Sequence, residues 1–451
     1  MAIIAPFRGL TYNFKKLGDM SKLMAPPYDV IDERQQEEYY NAHPNNVIRL
    51  ILGKKRNNDS DSDNRYTRSA QEMKKWEQED ILVRSDKPAM YLTAHDYDLG
   101  NGKGRRTRWG LIALVRIEED GSNVILPHEK TFSAHKDDRL RLMKACNAQL
   151  SQIFGLYDDS DKIISDVCSE ISNRGPDVSF DFKDGTSHRM WTIKDKVFFK
   201  KVADAMKDKS IFIADGHHRY ETSRNFRDLM RKKYGTADGD KAYDYVMMYL
   251  SDMNDKGLTI MPTHRLIKEY EAFDKDAFFN RARQYFSIDE MNVPNMCAGD
   301  RFLEFGKALE GKGRENTALG FYYYKSDKYY ILSLLPGAMD KEEEALHPSL
   351  KKLDVIVLTR LLLNNCLGFS MEDMDNPELI RYISDMDDSI SLVESGDCRI
   401  GFLLNPTKID QVKEVAGEFL IMPRKSTFFY PKVISGLVIN EIDPYEKIKV
   451  P

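Results

Sequence analysis

Ile211-Phe212-Ile213-Ala214-Asp215-Gly216-His217-His218-Arg219-Tyr220-Glu221 is the stretch from which the rest of the chain can be read. Four small or apolar residues run into an acid, a glycine, two histidines and an arginine. Beyond them Phe226, Leu229, Met230 and Tyr234 recur at helical spacing in a polar run. The first part reads as a short buried strand and the second as an amphipathic helix, set off by Lys209 and Ser210 and stopped by Gly235. The polar cluster therefore falls at a strand-to-helix turn, where backbone N–H groups and the positive end of the helix dipole point outward. Gly216 lets the backbone approach a ligand, and Arg219 adds a planar cation suited to phosphate. Taken alone the turn has two open readings: a ligand site, or an Asp215 N-cap beside a turn glycine.

The chain holds 451 residues, too many for one ordinary core, so two or three domains are expected. Hydrophobic residues make up 41% and charged residues 31%, the balance of a soluble globular protein. A net charge of −5 supplies no general attraction to nucleic acid or an anionic membrane, and neither is an expected partner. The five cysteines (Cys146, Cys168, Cys297, Cys366, Cys398) are widely spaced, with no C-x-x-C, and form neither a disulfide framework nor a zinc signature. No apolar run approaches transmembrane length, and the first residues lack a signal-peptide pattern, so a cytoplasmic location is expected.

Residues 1–88 read as an N-terminal extension. It contains the proline-fixed turn Ala25-Pro26-Pro27-Tyr28-Asp29, a helix from Asp32 to Asn41, a strand-like run from Val47 to Gly53 and a helix from Tyr66 to Leu82. Residues 89–270 read as the core. Its runs at 89–99 and 109–117 flank a glycine-rich turn and predict a hairpin, and Arg105-Arg106-Thr107-Arg108 reads as a solvated strand start. Residues 128–139 are a second polar cluster, with two histidines, two lysines, three acids and one arginine. Asp137 and Asp138 suit a helix start, whereas Pro127 pins His128-Glu129 just after a strand. Residues 271–451 read as a C-terminal α/β region. It has a Tyr-rich hairpin at 319–335, a buried helix at 353–363, a strand at 399–404, a helix at 406–419 and a run from Met422 to Lys432 in which Pro423 and Pro431 frame Arg424, Lys425, Ser426 and Thr427, the composition of a flexible loop or an anion clamp.

The central turn resembles the phosphate-binding turn of the ParB/sulfiredoxin superfamily. Within that superfamily the chain resembles the archaeal free serine kinases, which carry Pro-His-Glu upstream, Asp-Gly-His-His-Arg centrally and a Pro-Lys-Thr/Ser-Thr segment near the C-terminus. Pro127-His128-Glu129, Asp215 to Arg219 and Pro423 to Thr427 repeat that order here. Over nearly its full length the chain also resembles the bacterial domain-of-unknown-function 1015 family, through Pro26-Pro27-Tyr28-Asp29-Val30-Ile31 and His135-Lys136-Asp137-Asp138-Arg139. It departs from the kinases in its long N-terminal segment and in a longer insertion between the first two motifs.

The resemblance implies an α/β (α+β) fold with a mixed-sheet ParB/sulfiredoxin-like core. It implies a small-molecule kinase that moves a phosphoryl group from ATP or ADP to the hydroxyl of free L-serine. Glu129 would be the base and Asp215 an assisting carboxylate or a Mg²⁺ ligand. Gly216, His217, His218, Arg219, Lys425, Ser426 and Thr427 would hold the nucleotide. His128, His135, Lys136 and Arg139 would be substrate contacts. The alternative is a ParB-like nucleotide-binding regulator without metabolite kinase activity. Sulfiredoxin-like redox repair is discounted, because His217 stands where that chemistry needs a cysteine. There is no Walker A sequence and no protein-kinase signature.

Overall fold

The apolar runs of the first half become the strands of one mixed sheet. The computed structural model describes residues 1–100, 104–119, 121–129, 133–235, 239–269, 273–292, 298–342 and 345–451. The chain divides into two compact units, one of Met1–Pro127, Thr131–Thr259 and Pro431–Pro451, the other of His128–Lys130 and Ile260–Tyr430. Residues 1–88 thus belong to the first unit rather than standing apart. The reason is pairing: Ile4 and Ala5 add a strand to the sheet, and Leu10 exchanges backbone hydrogen bonds of 2.9 Å each way with Ile439. Among the described residues no helix is long and apolar enough to cross a membrane.

The sheet of the first unit contains β1 (Ile4–Ala5), β2 (Met90–Asp98), β3 (Arg105–Arg116), β4 (Ile125–Leu126), β5 (Ile153–Tyr157), β6 (Val178–Asp181), β7 (Ser187–Ile193), β8 (Ile211–Asp215) and β9 (Tyr245–Asp252). Their order is β4-β8-β5-β9-β3-β2-β7-β6, with β1 beside β3. The β4–β8 and β5–β9 pairs are parallel, and the other neighbours antiparallel. Side chains alternate between the two faces. One face carries Leu92, Leu111, Ile153, Met248 and Ile213. It is covered by Ile164 and Val167 of the helix Ile163–Ser172 and by Phe198, Phe199 and Val202 of the helix Lys196–Met206.

The other face carries a buried polar row. Arg108 pairs in register with His95, and His95 with His188. Arg108 is fully buried, donates from Nε to the Tyr249 hydroxyl at 3.2 Å, lies 3.1 Å through Nη2 from His95 Nδ1 and stacks 4.8 Å over Phe154. For Arg108 this corrects the expectation of a solvated strand start, which holds for the exposed Arg105. Alternation alone turns Arg108 toward the sheet's second face, and its alkyl and planar parts suit an aromatic lining. A second correction concerns Val47 to Gly53. Ile48–Ile51 form a helical turn, which Asn46 starts by accepting the Ile48 N–H at 2.8 Å.

The second unit has a six-stranded sheet of β10 (His264–Ile267), β11 (Phe286–Asn292), β12 (Ala318–Tyr323), β13 (Lys328–Leu334), β14 (Ile380–Ile383) and β15 (Ile400–Leu403). Its order is β11-β13-β12-β15-β10-β14, antiparallel throughout. The expected hairpin is β12–β13. The apolar run after Leu353 is helical over Asp354–Val357 and winds on as a wider π-type helix through Cys366, burying Leu358, Leu361 and Leu362.

Burial holds His188 neutral, with its pKa pushed down to about 4, and burial also drives that of His95 well below the usual histidine value, with the Arg108 charge adding to the effect. An unfolded histidine titrates near 6.5. Between about pH 6.5 and 4 the unfolded chain therefore binds protons that the folded chain refuses, and stability falls as pH falls. For His188 alone the loss by pH 4 is about 3 kcal/mol. Urea unfolding of His188→Gln across this window should show a shallower acid limb than the wild type; equal limbs would mean that the imidazole already protonates in the folded state.

Candidate functional site

The strand β8 does not run straight into its turn. Ile213 pairs with Gly155 and Asp215 with Phe154, so Ala214 is an extra residue and the strand ends in a bulge that re-aims Asp215. Gly216 follows with φ +90° and ψ 29°, a backbone state that suits glycine. A Cβ there would also lie 2.9 Å from the Arg219 guanidinium carbon. The helix α1 (His217–Tyr234) then begins, with Gly216 as an N-cap that has no side chain to donate or accept. The strand–turn–helix expected from the sequence is present at these residues.

Asp215 is the centre of an ion cluster. Lys432 Nζ donates to its Oδ1 at 2.6 Å, and Arg219 Nη2 donates to Oδ2. The other arm of the Arg219 fork donates to the Gln152 backbone carbonyl of the sheet. Burial by itself would raise the Asp215 pKa, but the charges of Lys432 and Arg219 outweigh it and hold the carboxyl well below the usual carboxylate range. Arg219 is therefore turned inward and ties the turn to the sheet, rather than presenting its fork outward. Lys432 is the cation that sequence reading missed. It is the last residue of the Met422 to Lys432 run, outside the two framing prolines, and its only sequence signal is that adjacency.

The resemblance would also give Asp215 to Mg²⁺. One carboxylate flanked by two cations does not fit a protein-held divalent ion. Among the described residues no group of three or more His, Cys, Asp or Glu side chains could hold a metal. Magnesium carried by a nucleotide would arrive as part of that substrate.

The helix α2 (Ser133–Cys146) packs along α1. Lys136 pairs with Glu221 at 2.7 Å. Arg139 donates from Nε to Asp138 at 2.8 Å and from Nη1 to the Ile51 carbonyl at 2.7 Å, and it stacks 3.9 Å over the Tyr28 ring. Asp138 also accepts from the Tyr66 hydroxyl at 2.7 Å and from Arg65. The His135 side chain lies outside the described residues.

In the second unit the first and third motifs meet although 299 residues separate their partners. His128 Nε2 lies 3.3 Å from Thr427 Oγ1. The Met422 N–H donates to the His128 carbonyl at 2.7 Å, and Glu129 bridges to Met422 in parallel. Burial pushes the His128 pKa down to about 4, so the ring is neutral at pH 7. Ser426 donates to the Pro423 carbonyl at 2.6 Å, and Lys425 takes φ +55°. Arg265 donates to the Lys425 carbonyl at 3.0 Å. Burial lowers its pKa to about 10, partly offset by Tyr382 and Glu129. Arg265 thus supports the loop from below, a role legible in the sequence only as a cation after a proline.

The family described as "Protein of unknown function (DUF1015)" matches residues 4–356, and the chain belongs to it. No curated protein matches the chain. Among solved structures, a conserved hypothetical protein from Pyrococcus furiosus aligns at 12% identity and a TM-score of 0.35, covering 71% of this chain and 92% of that one. A free serine kinase in complex with AMP aligns at 11% identity and a TM-score of 0.33, covering 70% and 86%. C-terminally truncated SbnI from Staphylococcus aureus aligns at 8% and 0.34, covering 72% and 85%. Likenesses of this depth assign no activity.

The glycine at 216 is the most sensitive point of the turn. Gly216→Ala must adopt an unfavourable φ and displace the Arg219 guanidinium, so it should destabilise the protein by about 1–3 kcal/mol. The shift in urea midpoint measures this; a loss below a few tenths of a kcal/mol would show that the turn relaxes freely.

Proposed function

We propose that the protein is a nucleotide-dependent small-molecule kinase that phosphorylates the hydroxyl of free L-serine. The observation that carries this reading is the meeting of His128-Glu129 with Met422 and Thr427, which unites two of the three ordered motifs. The third motif, Asp215 to Arg219, stands at a strand-to-helix turn of the first unit and joins this reading by its order in the sequence.

Phosphoryl transfer to an alcohol needs phosphates held, charge neutralised and a base for the hydroxyl proton. In this reading Glu129 takes the serine proton. The serine oxygen forms a bond to the terminal phosphorus of ATP or ADP while the bridging P–O bond breaks. ADP or AMP leaves, and Glu129 returns its proton to water. The backbone at Gly216, His217 and His218, Lys432 and the side chain of Lys425 supply the positive potential for the phosphates. Asp215 sets the Lys432 ammonium in place, and Arg219 anchors Asp215. Neutral His128 orients Thr427 rather than contributing charge. The competing reading is a nucleotide-binding regulator that transfers nothing.

Phosphorus NMR of the purified protein with L-serine and either ATP or ADP tests this directly, with O-phosphoserine as the expected product. Glu129→Gln keeps the size of the side chain but cannot take a proton at neutral pH. Its turnover should fall about 10²–10⁴-fold with nucleotide affinity retained. Wild-type turnover in the folded variant would remove Glu129 from the chemistry. Nucleotide binding without O-phosphoserine from either donor would favour the regulator.

A further inference from the structure

A small cavity of about 50 Å³ lies in the first unit beside the central turn. Tyr28, Arg139, Leu142, Arg219, Thr222 and Ser223 are among its walls. Tyr28 comes from the Pro26-Pro27 turn of the N-terminal segment, so residues far upstream help to form a space that α1 and α2 also line. At roughly 10–15 Å³ per water-sized probe, the space holds about three to five waters, or one small polar fragment.

The cavity has one unanswered polar group. Thr222 is fully buried, and among the described residues its hydroxyl has no hydrogen-bond partner. The neighbouring Ser223 hydroxyl is satisfied by the Arg219 carbonyl, one turn back, at 2.9 Å. A buried hydroxyl on a cavity wall is normally answered by water or a ligand. The ligand's charge follows from the two cations in its walls, Arg139 and Arg219, each of which belongs to an ion cluster. In those clusters four cations, Arg65, Arg139, Arg219 and Lys432, share two carboxylates, Asp138 and Asp215. An anion is favoured there. The volume suits a carboxylate with one or two carbons better than a nucleobase. Burial, with Asp29 adding to it, raises the Tyr28 pKa to about 12, so its hydroxyl keeps its proton and is available as a donor.

We propose that this cavity receives the carboxylate end of the acceptor, a small hydroxy-amino acid, with the Thr222 hydroxyl and the Arg139 guanidinium as donors and Tyr28 as the closing wall. The proposal rests on the kinase reading for the word acceptor, but the cavity can be tested without turnover. It also gives residues 1–88 a task, since Tyr28 is their contribution to ligand recognition.

The test uses the full chain, Thr222→Val, and two probes, L-serine and L-serinamide, with binding read by calorimetry. Valine keeps the shape and removes only a hydroxyl that no protein group uses, so the melting temperature should stay within a degree or two. L-Serine should bind about ten- to a hundred-fold more weakly to the variant, the scale of one charge-assisted hydrogen bond. L-Serinamide should bind weakly to both proteins. Thr222→Ser, which restores the hydroxyl, should recover most of the affinity, and Thr222→Ala serves if the valine does not fold. Equal L-serine affinity in the wild type and Thr222→Val, equal binding of the amide, or no L-serine binding by the wild type would each overturn the proposal. The predicted binding pattern without O-phosphoserine formation would instead keep the cavity and reject the kinase.

Discussion

The Asp215 carboxylate, held between Lys432 and Arg219, is the interaction on which the first unit's turn depends. Lys432 lies 217 residues further along the chain, and Arg219 reaches on to the Gln152 carbonyl, just before β5. One acid therefore joins a bulged strand end, the first turn of α1, the sheet and the returning C-terminal segment. Removing one member of such a set leaves charge buried and unpaired, which is why it is demanding of its residues. The same cluster explains the glycine at 216, because the Arg219 guanidinium occupies the space a Cβ would need.

The return of residues 431–451 to the first unit is the second constraint. Leu10 pairs with Ile439, Ala25 with Ser435 and Gln149 with Asn440. The segment that brings Lys432 to Asp215 is thus fixed by backbone pairing at three further points. A lysine held this way loses less conformational freedom on binding an anion than one on a loose loop. In the second unit Arg265 does similar work for the Lys425 loop, through carbonyl contacts instead of an ion pair.

Surroundings fix the charge of two groups in these clusters. Asp215 stays ionised because cations flank it, and His128 stays neutral because nothing compensates its burial. The buried Arg108–His95–His188 row follows the same logic on the sheet's second face. There burial keeps both rings uncharged, and the permanent cation beside them adds to the effect.

Local sequence determined a good deal. Period-two runs and turn residues placed β2, β3, β8, β12 and β13, and the step from Ile211–Ala214 to a helical repeat placed the turn and its helix. These features are legible because they depend on neighbours within a few residues. The ordered motifs marked Glu129, Asp215 to Arg219 and Lys425 to Thr427 as a set. What local pattern could not show is which way a side chain turns and what it meets. Arg108 reads as a solvated cation until the register of β2 and β3 buries it against Phe154 and Tyr249. Arg219 reads as an outward fork until Gln152 and Asp215 take both of its arms. Lys432 has no local mark of function, because its partner is set by the path of the C-terminal segment. The joining of residues 1–88 to the first unit was likewise hidden, since Ile4 and Ala5 pair with β3 and Leu10 with Ile439, all far along the chain. Tertiary structure decided these points because each depends on pairing between distant segments, and a sequence read in windows carries no information about that.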